Sequence, residues 1–342
     1  MKTGLGVIGV GTWGERHAAT YASRPDVELT LVCDLNEARA PEVAQRYGAR
    51  GWTTDYREVV SHPDIQAVSV ATPDFAHREI AVAAAQAGKH LLCEKPLATT
   101  VEDCQAILEA RDRSGIKLMV DFHNRFNPPF VRMKEALEKG ELGDPLMLYM
   151  RLNDTLFVPT RMLSWAARST VGWFLGSHAF DLVRWLCGSE VRRVFAVSRS
   201  VVLKSRGIET PDFFQTTLEL ANGATAQVEN CWVVAETAPV IFDFKCELVG
   251  SRGTMYVDAS HHRMVQKYTP EEATYPDVLA SPELYGKPTG FAVESIHHFV
   301  DCVQSQQEPR ITGEDGLQAT RIVLAMEESA RRGQPVELEE GT

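Results

Sequence analysis

Short apolar runs alternate with amphipathic segments over the first third of the chain. The runs are LGVIGV at 5–10, VELTLVC at 27–33, AVSVA at 67–71, HLLCE at 90–94 and KLMVDF at 117–122. Between them, residues 14–23, 37–47, 56–61, 76–87 and 101–114 show the periodicity of helices. Strands buried on both faces lose the in-and-out alternation of a half-exposed sheet. This order therefore predicts a doubly wound α/β domain over residues 1–122, a parallel sheet with helices on each face.

The pattern changes after NRFNPPF at 124–130. A helix is predicted over 128–139, then longer strands near 145–153, 191–203, 212–221, 224–234, 240–250 and 253–258. Ala221-Asn222-Gly223 and Gly250-Ser251-Arg252-Gly253 supply hairpin turns between neighbouring strands. Helices over 292–305 and 314–332 close the chain. The second domain, 123–342, is thus expected to be α+β, with a large open, mostly antiparallel sheet and helices on one face. Its bare face must be covered by a substrate cleft or by a partner subunit. Within this domain WFLGSHAFDLVRWLCG, residues 173–188, sets Phe174, His178, Asp181, Leu182 and Trp185 at helical spacing, so that a histidine and a carboxylate share a face with large apolar side chains.

Composition narrows the possible partners. The 342 residues are 44% hydrophobic and 24% charged, as in an ordinary globular chain that folds into two domains. A net charge of −11 argues against nucleic acid and acidic membranes. The seven cysteines, with no C-x-x-C pair, read as reduced thiols of a cytoplasmic protein, with neither disulfides nor a metal site. No apolar run is long enough to span a membrane, and the glycine-broken N-terminus reads as strand, turn and helix rather than a signal peptide.

Gly9, Gly11 and Gly14 form G-x-G-x-x-G directly after a predicted strand and at the opening of a helix. Gly9 permits the turn, Gly11 lets a pyrophosphate reach the backbone, and Gly14 allows close packing of helix on strand, the pattern of a Rossmann dinucleotide site. Twenty residues beyond Gly14, Asp34 ends the second strand, where it would accept hydrogen bonds from the adenosine ribose. Leu35 and Asn36 follow it with no Arg for a 2′-phosphate, so NAD is favoured over NADP.

Glu94-Lys95-Pro96 ends the fifth strand, at the sheet edge where such folds bind ligands. An amine facing an oxidised nicotinamide, and partly buried, is pushed from about 10.4 towards the range of about 7 to 8 that suits a general base. Thr72, Pro73 and His77 in ATPDFAH come from the fourth strand's end. Thr72 and His77 either line the nicotinamide side or, for His77, stand in solvent at a helix start. The stretch 151–165, RLNDTLFVPTRMLSW, is either a substrate-facing loop or a solvated connector; Arg151, Asn153, Asp154, Arg161 and Trp165 are its candidates for sugar contact.

With G-x-G-x-x-G, Asp34, ATPDFAH, EKPLATT, NRFNP and GSHAFD in this order, the chain resembles the Gfo/Idh/MocA oxidoreductases along essentially its whole length. The resemblance implies hydride transfer between nicotinamide and a secondary alcohol of a sugar, sugar derivative or cyclitol, and a homodimer or homotetramer formed through the open sheet. By that analogy Lys95 is the general acid/base, His178 shares its proton, and Thr12, Trp13, Asp34, Thr72, His77 and Glu94 surround the dinucleotide; Pro73 is a further candidate beside the cofactor and Arg125 a further candidate for substrate contact. One position departs from the family: the usual Asp four residues before the histidine is Phe174, which cannot bond a hydroxyl and could instead pack on a sugar ring. Asp181 is then expected to be structural. Two other outcomes fit the scaffold: an NAD-dependent glycosidase or lyase using transient oxidation, and a non-enzymatic dinucleotide-binding regulator.

Overall fold

The computed structural model describes residues 2–260, 264–305 and 307–338. They fall into two compact units: residues up to Phe126 with Leu279–Leu317, and Asn127–Val278 with the chain from Gln318 onward.

The first unit is built on β1 (Thr3–Ile8), β2 (Val27–Cys33), β3 (Gly51–Thr53), β4 (Ala67–Val70), β5 (His90–Cys93) and β6 (Leu118–Val120). They pair in the order β3-β2-β1-β4-β5-β6, and every pair is parallel. The connecting helices are α1 (Thr12–Ser23), α2 (Arg39–Tyr47), α3 (Tyr56–Ser61), α4 (His77–Gln86) and α5 (Val101–Ser114). Strand order reverses between β1 and β4, and their carboxyl ends frame the crevice that doubly wound sheets use for ligands. The predicted elements all form. β3 was not anticipated, because three residues are too short to show a period.

The second unit starts with α6 (Pro128–Glu138) and β7 (Pro145–Asp154), followed by α7 (Ser177–Cys187). Then come β8 (Val191–Arg199), β9 (Phe213–Leu220), β10 (Thr225–Cys231), β11 (Phe242–Gly250) and β12 (Thr254–Asp258), and a two-stranded hairpin of β13 (Lys267–Tyr268) and β14 (Ala273–Thr274). The strand predicted over 191–203 stops at Arg199, since the Asp212 carboxylate accepts the amides of Val201, Val202 and Leu203, each at 2.8 Å, and folds them into a turn.

The chain then returns to the first unit, with β15 (Glu283–Leu284), β16 (Lys287–Pro288) and α8 (Phe291–Ser305). This corrects the expected single division at residue 122: α8 belongs to the first unit, where it buries Ser295 against Asp121. α9 (Gly313–Arg332) begins in the first unit and continues into the second, which β17 (Val336–Glu337) completes. The second sheet runs β12-β11-β7-β10-β9-β8-β17, antiparallel except where β7 meets β10. Its inner face carries Leu148, Met150, Leu152, Val194, Ala226 and Val228 into a core with Phe180, Leu182 and Val183 of α7. No described helix is long and apolar enough to cross a membrane. All seven cysteines are free, and all but Cys231 are buried.

Candidate active site

The glycine motif adopts the roles its spacing requires. Gly9 has φ of 84°, and a Cβ there would lie 2.8 Å from the carbonyl carbon of Ala71. A Cβ on Gly14 would lie 1.7 Å from the Gly9 oxygen, so only glycine lets α1 start this close to β1. At Gly11 no atom lies within 4 Å of such a Cβ, and no side chain caps the start of α1. Open space beside uncapped helix amides is what a pyrophosphate needs, so these residues fit a dinucleotide. Thr12 is exposed in the first turn of α1. Trp13 stacks on His123 at 4.9 Å and carries the Arg16 guanidinium 4.4 Å over its ring.

Asp34 follows β2 with both carboxylate oxygens aimed at backbone: Oδ2 accepts the Val10 amide and Oδ1 the Asn36 amide, each at 2.9 Å. This fixes its direction at the end of the strand. An arginine does lie near, contrary to the expectation from Leu35 and Asn36: Arg39 donates from Nε to the Val10 carbonyl at 3.0 Å. Its guanidinium is held by Glu15 and Glu42.

The edge formed by β4 and β5 is tied together by buried polar groups. Tyr21 can donate to Ser69, Ser69 to His17 Nδ1 at 2.9 Å, and His17 Nε2 to Glu94 Oε1 at 3.0 Å, a chain that runs one way towards the carboxylate preceding Lys95. Asp121 stands 3.8 Å from the same His17 nitrogen and accepts from Ser295. Burial raises the Asp121 carboxyl, but the hydrogen bond and charge of His123, with His17 and Ser295, outweigh it and hold it below the usual carboxylate range. The ligand atoms of His17, Glu94 and Asp121 lie within 4.8 Å of one another. The bonds to Ser69 and Ser295 tie these three side chains into one hydrogen-bonded network.

Neither alternative expected for His77 holds. It is 1% exposed, and its nitrogens face the carbonyls of Pro96 at 2.8 Å and Thr72 at 2.9 Å, which leaves none for solvent or for the dinucleotide. Thr72 keeps a buried hydroxyl without a hydrogen-bond partner at the sheet edge, next to Pro73. Lys95 leads into a cis peptide with Pro96.

Among the expected substrate contacts, Arg125 already has a partner within the protein. It belongs to the first unit and pairs with Asp315 at 2.8 Å, in a capping box where Asp315 accepts the Thr312 amide and Thr312 accepts that of Asp315. Asn153 has one too. With Arg151 it lies on the outer face of the second sheet, donating to Glu229 at 2.6 Å while Arg151 pairs with Asp243 at 2.9 Å. The inner face at that level carries Asp154 and Asn230, both buried; Asn230 donates to the Leu152 carbonyl at 3.0 Å and its other amide atom has no hydrogen-bond partner. Arg161 is exposed and pairs with Glu236 at 3.0 Å.

The connector between β7 and α7 is folded rather than loose, with π-helical turns at Val158–Met162 and Gly172–Gly176. The second turn widens the helix just before α7, so the three-and-four spacing read across 173–188 breaks at Gly176. Phe174 sits in that turn, half-buried, with its ring centroid 5.8 Å from Trp232 and 6.3 Å from Trp165. His178 is the second residue of α7 and is buried; Asp181 is fully enclosed. Trp232 and Asn230 had no local signal in the sequence, because they lie far along the chain from the turn they meet, Asn230 at Gly176 and Trp232 at Phe174.

Comparison with known proteins fits this geometry. Residues 3–122 match the family model described as "Oxidoreductase family, NAD-binding Rossmann fold", and residues 130–256 match the "GFO/IDH/MocA C-terminal domain". An oxidoreductase of Bacillus subtilis (strain 168), YrbE, is 30% identical over 98% of this chain and 96% of its own. Myo-inositol 2-dehydrogenase of Thermotoga maritima is 29% identical over 98% of each. Among solved structures, levoglucosan dehydrogenase in complex with NADH and levoglucosan superposes with a TM-score of 0.85 at 27% identity, over 99% of this chain and 100% of that one.

Proposed function

The chain belongs to the GFO/IDH/MocA family of oxidoreductases, and on that premise we propose that it is an NAD-dependent dehydrogenase acting on a secondary hydroxyl of a cyclitol, sugar or sugar derivative. The observation that carries this is the conjunction, in one unit, of an open cradle at Gly11 with Lys95 at the neighbouring sheet edge. The uncapped amides of α1 hold the pyrophosphate, and Asp34 receives the ribose hydroxyls. Bound NAD supplies the hydride acceptor. Lys95 takes the hydroxyl proton as the C–H bond breaks, and His178 shares that proton. Arg39, already neutralised by Glu15 and Glu42, offers little to a 2′-phosphate, which supports NAD over NADP.

The relatives include a scyllo-inositol 2-dehydrogenase (NAD(+)) of Bacillus subtilis, 28% identical over 97% of this chain. An absorbance screen of inositols, levoglucosan and common sugars with NAD and NADP tests the reading: NADH should form with at least one polyol. In the responding reaction Lys95→Ala should lower kcat by about 100-fold or more, as loss of a positioned general base does, while NAD still binds. Full turnover in that variant removes Lys95 from the mechanism.

A further inference from the structure

The ladder between β4 and β5 ends where the Glu94 amide donates to the Val70 carbonyl at 2.9 Å. Beyond that point the two strand ends are joined by a side chain. His77, the first residue of α4, reaches Pro96 O through Nδ1 at 2.8 Å and Thr72 O through Nε2 at 2.9 Å. A neutral imidazole can donate to one of the two, and the doubly protonated ring to both. On the other side of Lys95, His17 Nε2 holds Glu94 at 3.0 Å. Lys95 therefore sits between two residues each gripped by a buried histidine, one from α1 and one from α4.

We propose that His77 is a positioning residue for Lys95: by holding the Pro96 carbonyl against the end of β4, it sets the direction in which the Lys95 amine is presented. The proposal rests on the reading of Lys95 as the general acid/base. Long-range binding does not need this grip, because the glycine cradle and Asp34 lie on other loops. Proton transfer does, since a displacement of about 1 Å can cost about 100-fold in rate.

The two halves of the grip can be separated. In His77→Asn the amide nitrogen stands where Nδ1 does and can still donate to Pro96 O; in His77→Gln it stands where Nε2 does and can reach only Thr72 O. The experiment measures kcat, KM and NAD affinity for both variants with the polyol turned over fastest by the wild-type protein. In parallel, the rate at which acetic anhydride labels Lys95 in the cofactor-free protein is read by peptide mass spectrometry. His77→Asn should keep kcat within about tenfold of wild type, while His77→Gln falls by about 100-fold, with NAD affinity and melting temperature matched between them. The labelling rate of Lys95 should change in His77→Gln alone, with other lysines unaffected. Equal kcat and equal labelling in the two variants overturns the positioning role. A Lys95→Ala control separates the two readings. If it is inactive while the His77 variants behave alike, only the positioning role falls; if it is fully active, the lysine's role falls and the positioning role with it.

Discussion

Phe174 shows what one side chain can change at an otherwise familiar site. Its ring, half-buried between Trp232 and Trp165, forms part of an aromatic wall one turn before His178. Such a wall favours the C–H face of a ring and offers no acceptor to a hydroxyl. Phe174→Asp should therefore raise kcat/KM for fully hydroxylated inositols relative to levoglucosan by about tenfold or more, on the scale of discrimination that a hydrogen-bonding group at a substrate hydroxyl provides. An unchanged ratio between the two substrates would take Phe174 out of substrate selection. The departure at this residue was legible in the sequence, because it is one letter within a recognisable segment. Asn153 was misread for a physical reason: the composition of 151–165 suggested contact with substrate, but alternation along β7 turns Asn153 outward and leaves the inner face to residues such as Asn230, supplied by a strand far away in sequence.

At the scale of elements, apolar runs located the first sheet well, since strands buried on both sides announce themselves by composition alone. Invisible were features without a period: the three residues of β3, the π-helical turn before α7 and the carboxylate-closed turn after Arg199. Polar joints between elements were equally hidden. His17, Ser69, Glu94, Asp121 and Ser295 come from α1, β4, the end of β5, the end of β6 and α8, and none has a neighbour in sequence that reveals its partner. The lowered Asp121 carboxyl gives this joint a pH signature. A group whose folded value is depressed contributes stability above its unfolded value near 4, and that contribution is lost as pH falls through the folded value. The unfolding midpoint of the wild-type protein should thus drop between about pH 5 and pH 3, and that of Asp121→Asn should drop less. Parallel slopes for the two proteins would show that Asp121 is not the group responsible.

For the whole molecule, the outer face of the second sheet raises the question of partners. Met147, Phe195, Val197 and Tyr256 are between 38% and 70% exposed there, on β7, β8 and β12. A face with this many exposed apolar side chains is usually covered in solution, and a second copy of the chain is the proposed cover. Light scattering should give a multiple of the chain mass, and Met147→Glu combined with Tyr256→Glu should reduce it towards one; a wild-type monomer at micromolar concentration would refute the assembly.

The division of the chain also has a temporal side. Asp121 waits for Ser295 and Arg125 for Asp315, so the nucleotide-binding unit closes its last contacts only after the intervening strands β7 to β12 have left the ribosome. Synthesis from the N-terminus, which lets many two-domain proteins finish one domain before starting the next, leaves this one with its first unit open until α8 and the start of α9 have been made.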